Sequence, residues 1–148
     1  MKVDALLDSN VVVAIVAEAH ECHAVSLGLL MDTRTAFAVA AHSYAEAFCT
    51  LTRRGDRAPF QIAPDEAWTV LESVRAVTAL IGLTAAQNFD AIRDYARGGG
   101  AGARLYDKLI GQSAGVHGIP ILVTWNVAHM RGLFPRLNVC TPRQYVHL

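Results

Sequence analysis

Short apolar runs alternate with helix-patterned segments along the chain, and this alternation constrains the fold more than any other feature. Residues 3–7 form an apolar run that stops at Asp8. Residues 35–40 form a second run, 77–83 a third and 119–123 a fourth, the most apolar, while 139–140 would add a short edge strand. Runs this short and continuous read as buried strands rather than half-exposed ones. Helix punctuation fills the intervals. Ser9 and Asn10 are N-cap types ahead of a helix over 11–19, and a second helix is expected over 22–31. His42 and Ser43 open a helix to Arg54 whose apolar stripe is Ala45, Phe48, Cys49 and Leu51; Gly55 stops it. Pro64 with Asp65 and Glu66 starts a helix carrying Trp68, Leu71 and Val74. Thr84 caps one containing Ala85, Phe89, Ile92 and Tyr95, which ends at Arg97 before a glycine-rich loop over 98–102. Residues 105–116 form a further helix, and 142–146 a terminal turn. Strands separated by helices require right-handed crossovers and a parallel sheet. The expected architecture is an α/β, three-layer α/β/α sandwich with a central, mostly parallel sheet of four to five strands. One domain over residues 1–148 is expected from the length.

Composition excludes several classes. Hydrophobic residues make up 53% of the chain, enough for a substantial core, so disorder is not expected. No apolar stretch reaches the ~20 residues of a membrane span, and no cationic leader precedes an apolar run, so a soluble cytoplasmic protein without a membrane role is expected. Cys22, Cys49 and Cys140 are few, scattered and free of paired spacing. They fit neither a disulfide framework nor a zinc site, and are expected to be small buried hydrophobes. Net charge is zero, which argues against bulk electrostatic gripping of nucleic acid. The distribution is uneven. Residues 1–50 hold Lys2 and Arg34 against Asp4, Asp8, Glu18, Glu21, Asp32 and Glu46, a net −4, so the remainder carries +4.

The chemistry resides in Asp8, Glu46 and Asp107, three carboxylates in separate apolar segments, joined by Asn126 after the last strong strand. A buried carboxylate must be paired, protonated or bound to a cation. In open parallel sheets ligands bind beyond the carboxyl ends of the strands. Asp8 and Asn126 lie at strand ends; Glu46 and Asp107 lie early in helices that follow strand ends. All four are expected to face one crevice, an oxygen-lined acidic cup for a hard divalent cation. Such an ion polarises a phosphate ester and activates water, which points to metal-dependent phosphodiester chemistry.

These segments also resemble a known family. Leu6-Leu7-Asp8-Ser9-Asn10-Val11 is similar to the opening motif of PIN-domain ribonucleases. Ser43-Tyr44-Ala45-Glu46, with Leu51-Thr52-Arg53 downstream, resembles their second motif; Tyr106-Asp107-Lys108-Leu109-Ile110 the third; Leu122-Val123-Thr124-Trp125-Asn126 the fourth. Order, spacing and length resemble the VapC-type toxins of toxin–antitoxin pairs. The resemblance implies a Mg²⁺- or Mn²⁺-dependent endoribonuclease with an RNA substrate, a cognate antitoxin protein and a homodimeric state. It implies Asp8 and Asp107 as principal metal ligands, and Glu46 as the group that orients or deprotonates water. Ser9 and Thr124 would hydrogen-bond behind them. Many family members carry Asp where this chain has Asn126, which lowers the site's charge and implies one tightly held ion, with a second arriving with substrate.

Other residues admit two readings. Arg53, Arg54 and Arg57 form either a phosphate-contacting patch or a solvated helix end. Arg97 and Arg104 flank the glycine loop, either as RNA contacts or as part of a linker. The glycines lack a nucleotide-cradling pattern. His20 and His23 are expected at the surface and the two tryptophans in packing roles. Two rival functions stand beside the nuclease. A non-catalytic PIN-like interaction module is one. An aspartate-nucleophile phosphatase is the other, but it needs a second acid where Asn10 stands.

Overall fold

The computed structural model describes residues 2–148. Its elements run β1 (Ala5–Leu7), α1 (Ser9–Val16), α2 (His23–Leu30), β2 (Phe37–Ala40), α3 (Ala41–Thr52), α4 (Pro64–Val77), β3 (Ala79–Ile81), α5 (Ala85–Arg97), α6 (Leu105–Val116), β4 (Ile121–Val123), α7 (Val127–Leu133), β5 (Asn138–Cys140) and α8 (Pro142–Tyr145). A single 3-10 turn, Gly102–Arg104, leads into α6.

The five strands form one sheet in the order β3-β2-β1-β4-β5, every pair parallel. β1 is central: Ala5 aligns with Phe37 on one side and with Ile121 on the other. Alternation along the strands divides the core. Ala5, Leu7, Phe37, Val39, Val123 and Cys140 pack with α1, α2, α3 and α4. Leu6, Ala38, Leu122 and Val139 face the opposite way, against Ile110 and Ala114 of α6 and Met130 of α7. Both faces are covered, so β1 and β2 are buried throughout. The sheet is thus the centre of the expected α/β/α sandwich.

Several boundaries and faces differ from the sequence reading, each for a local reason. Asp8, not Ser9 or Asn10, is the N-cap of α1: its Oδ1 accepts from the Ser9 backbone N–H at 2.7 Å. The helix therefore begins two residues earlier than expected, and it ends at Val16. Helix α3 buries Ser43, Ala47 and Leu51, while Ala45 and Cys49 are exposed. Leu51 is in the core as expected and Phe48 packs against it, but the small Ser43 and Ala47, not Ala45 and Cys49, complete the buried face. Of the cysteines only Cys140 is buried. Trp68 and Phe89 are 61% and 74% exposed, not packed. The third strand is shorter than expected, since Val77 belongs to α4 and is solvent-facing. Helix α7 went unread, being only seven residues long with one fully buried side chain, Met130. His20 and His23 are half-buried and structural: the Cys22 N–H donates to His20 Nδ1, and His23 Nδ1 contacts the Ala14 carbonyl at 2.9 Å.

Candidate metal-dependent active site

The chain leaves β1 toward β2 and β3 on one side of the sheet, while β4 and β5 build the other. The strand order therefore reverses between β1 and β4, and crevices at such switch points are where α/β sheets bind ligands. Asp8 follows β1 and Thr124 follows β4, so the two stand side by side at that point. The Asp8 N–H donates to the Val123 carbonyl at 3.0 Å, extending the pairing of the two strands by one residue.

Asp8 is 2% exposed and held on both oxygens. Oδ1 accepts from the Ser9 N–H, and Oδ2 accepts from Thr124 Oγ1 at 2.7 Å. Asn10 completes this support. Its Nδ2 donates to Thr124 Oγ1 at 3.2 Å and its Oδ1 accepts from the Trp125 N–H at 3.1 Å. The Asn126 N–H donates to Thr124 Oγ1 at 2.9 Å. The Ser9 backbone and the Thr124 hydroxyl thus both hydrogen-bond to the Asp8 carboxylate. Asn10 was missed as a site residue because its N-cap propensity accounted for it locally; its partners are 114 and 115 residues away.

Glu46 comes from the second turn of α3 and Asp107 from the first turn of α6. Burial, then the charges of Asp8 and Asp107, push the Glu46 carboxyl up to about 7. Burial raises Asp8 to about 6, with Asp107 adding to it and the Thr124 and Ser9 hydrogen bonds opposing it. The three carboxylates therefore share one electrostatic field.

Two histidines absent from the sequence-level list stand against these acids. His129 of α7 brings Nε2 within 2.9 Å of Asp107 Oδ2. His42 of α3 brings Nε2 to 3.4 Å from Glu46 Oε1, with its ring stacked on Tyr106 at 5.0 Å. Neither contact has hydrogen-bond alignment: Glu46 Oε1, His42 Nε2 and His129 Nε2 are all buried without a hydrogen-bond partner. Burial lowers the His42 pKa, which favours the neutral ring.

Among the described residues no three His, Cys, Asp or Glu side chains already stand close enough to chelate an ion together. The donor set nevertheless suits a hard cation. Asp107 raises the proton affinity of Asp8, both raise that of Glu46, and a buried Glu46 oxygen lacks a donor. Asp8 and Asp107 are the residues that would hold it, with Glu46 beside them.

The remaining predicted residues lie around this centre. The Asn126 side chain is exposed and makes no hydrogen bond to the acids. Arg53 and Arg54 are exposed at the far end of α3, about 10 Å along the axis from Glu46. Arg104 is exposed at the start of α6 and lines a groove that also includes His129.

No protein-family model and no curated protein matches the sequence. Solved structures do match in fold. A DNA-bound VapBC from Salmonella typhimurium superposes with a TM-score of 0.66 at 18% identity, over 93% of this chain and 97% of that one. Mycobacterium tuberculosis VapC20, a sarcin–ricin loop cleaving toxin, gives a TM-score of 0.64 at 15% identity over 80% and 87%. VapBC-1 from nontypeable Haemophilus influenzae gives 0.61 at 12% identity over 94% and 98%. The chain has the fold of VapC-type PIN domains.

Proposed function

We propose that this chain is a metal-dependent endoribonuclease that hydrolyses RNA phosphodiester bonds, and that it acts in the cytoplasm as the toxin of a type II toxin–antitoxin pair. The observation that carries this reading is Asp8 at the switch point of a VapC-like sheet, within the field of Asp107, with Glu46 in the field of both. Mg²⁺ or Mn²⁺ bound there would polarise the scissile phosphate and lower the pKa of an attacking water.

The chain's own residues divide the remaining work. Ser9, Thr124 and Asn10 fix the orientation of Asp8. His129 stands against Asp107. Glu46, with a free Oε1 and a proton affinity shifted to near neutrality, receives the proton of the attacking water. The Asn126 side chain faces solvent, one residue beyond Trp125 and two beyond Thr124, and is a candidate for meeting substrate rather than for building the acidic centre.

A protein partner fits the apolar groove of about 500 Å³ between α3 and α4, lined by Tyr44, Phe48, Trp68, Leu71 and Leu80. We assign it to protein association, by a second copy or by the antitoxin. No described helix is long and apolar enough to cross a membrane. The phosphatase reading lacks its general acid, because the position that needs a second carboxyl holds the Asn10 amide, whose bonds go to Thr124 and Trp125.

The test is cleavage of total cellular RNA by the purified, partner-free protein with Mg²⁺ or Mn²⁺, and with EDTA. Discrete fragments are expected only with metal. Asp8→Asn and Asp107→Asn should abolish them, and Glu46→Gln should slow cleavage by about 10²-fold or more. If the Asp variants cut as fast as the parent, the assignment of the site is wrong. If the folded parent never cuts, the non-catalytic interaction module becomes the better reading.

A further inference from the structure

A second groove, of about 500 Å³, opens beside the acidic centre. Its walls are the end of α5 with the glycine loop, the start of α6, and one face of α7. The loop is shaped rather than slack. The Tyr95 hydroxyl donates to the Ala101 carbonyl at 3.1 Å, and a Cβ on Gly100 would fall 2.5 Å from the Tyr95 ring. Gly98, Gly99, Gly100, Ala128 and Gly132 leave the groove open to close approach by a ligand.

The charges in it are unbalanced. Arg104 and Lys108 both line the groove, and among the described residues neither has a carboxylate partner. Lys108 Nζ rests 5.5 Å from the centre of the Phe134 ring. The one acid in the lining, Asp94, is already engaged by Arg93 Nε at 3.1 Å. His129 belongs to both places: it lines the groove, and its Nε2 touches Asp107. An anion in the groove would therefore sit next to the acidic centre on the Asp107 side.

We propose that this groove is a subsite for a backbone phosphate of single-stranded RNA flanking the scissile one, with Arg104 and Lys108 as its binding residues. The proposal rests on the nuclease reading above. The acidic centre repels a polyanion, and two unpaired cations beside it supply an anchor that holds the strand across that centre. The Arg104 guanidinium is suited to gripping two phosphate oxygens at once, and the Lys108 ammonium acts as a point charge.

The experiment measures binding of a fluorescein-labelled 12-mer of oligouridylate by anisotropy, in EDTA so that cleavage is off, across a range of KCl. Arg104→Gln and Lys108→Gln should each weaken binding several-fold and reduce the slope of log K against log salt by about 0.7. Arg143→Gln, an equal charge change at an exposed residue of α8, which packs on α2 and β5 and contributes nothing to the groove lining, should alter binding little. The subsite is overturned if the parent does not bind, if the groove variants bind like the parent, or if Arg143→Gln weakens binding as much as they do. It is also overturned, in favour of an acidic protein segment, if the groove variants lose poly-glutamate binding to the same extent. Parallel Mn²⁺-dependent digestion separates the two readings. Cleavage by the parent with unaltered binding by the variants removes the subsite and keeps the nuclease. Weakened binding by the groove variants alone, with no cleavage by the parent, keeps the subsite and removes the nuclease.

Discussion

Asp8 is the most demanding residue in the chain, since it is buried, ionisable and placed beside two more acids. Its folded pKa, about 6, lies above the ordinary 3.8, so the folded state holds its proton more tightly than the unfolded chain does. Protonation then favours folding and ionisation opposes it. In metal-free protein, stability should fall as pH rises from about 4 to about 6, by up to about 3 kcal/mol from this residue. Glu46 acts in the same direction up to about 7, more weakly because its side chain is partly solvated. Thermal unfolding of Asp8→Asn should show a higher Tm than the parent at pH 7.5 and little difference at pH 4.5. An equal difference at both pH values would mean that the Asp8 charge is not the cause. Thr124 is the second test at this scale. Replacing it by Val would strip one hydrogen bond from Asp8 and orphan the Asn10 Nδ2 and the Asn126 N–H. A loss of about 1–3 kcal/mol is expected in denaturant unfolding, with Thr124→Ser close to the parent. The sequence marked Asp8 through its place after an apolar run, and Thr124 through the family resemblance. It did not mark Asn10, His42 or His129, whose roles come from partners brought close only by folding.

Among the elements, α6 and α7 decide the geometry on the Asp107 side. Gly111 of α6 faces the Phe134 ring at the end of α7, and a Cβ there would lie 2.1 Å from ring atoms. Gly111→Ala therefore overpacks this contact. It should destabilise the protein by about 1–3 kcal/mol in denaturant titration. It should also depress cleavage, because Asp107 lies one turn before Gly111 on α6 and its neighbour His129 lies on α7. Unaltered stability would show that Phe134 swings aside without consequence. The long helices were legible from caps and acids in their first turns: Pro64 with Asp65 and Glu66 starts α4, and Thr84 with Gln87 forms a capping box on α5. Helix α7 was not, since seven residues carry too little periodicity to register. The face of α3 was misread because the small residues Ser43 and Ala47 are what pack inward.

For the whole molecule, a metal ion held at the proposed acidic centre would couple its binding to folding. An ion that binds only the folded state stabilises it by mass action, about 2.7 kcal/mol at one hundred times the dissociation constant. Adding Mn²⁺ should raise the parent Tm and EDTA should reverse it, whereas Asp107→Asn should respond far less. A Tm indifferent to Mn²⁺ at millimolar concentration would count against a metal site in the isolated chain. The sequence by itself determined the alternation of strand and helix, the parallel three-layer architecture and the acids near strand ends. These follow from local hydrophobic runs, caps and chain connectivity, which act over a few residues. The strand order 3-2-1-4-5, and with it the switch point between β1 and β4, was decided only by the tertiary structure. So were the histidines set against Glu46 and Asp107, and the cationic groove that His129 shares. Each of these depends on which segments cross the sheet on which side, a choice made by burying both of its faces at once.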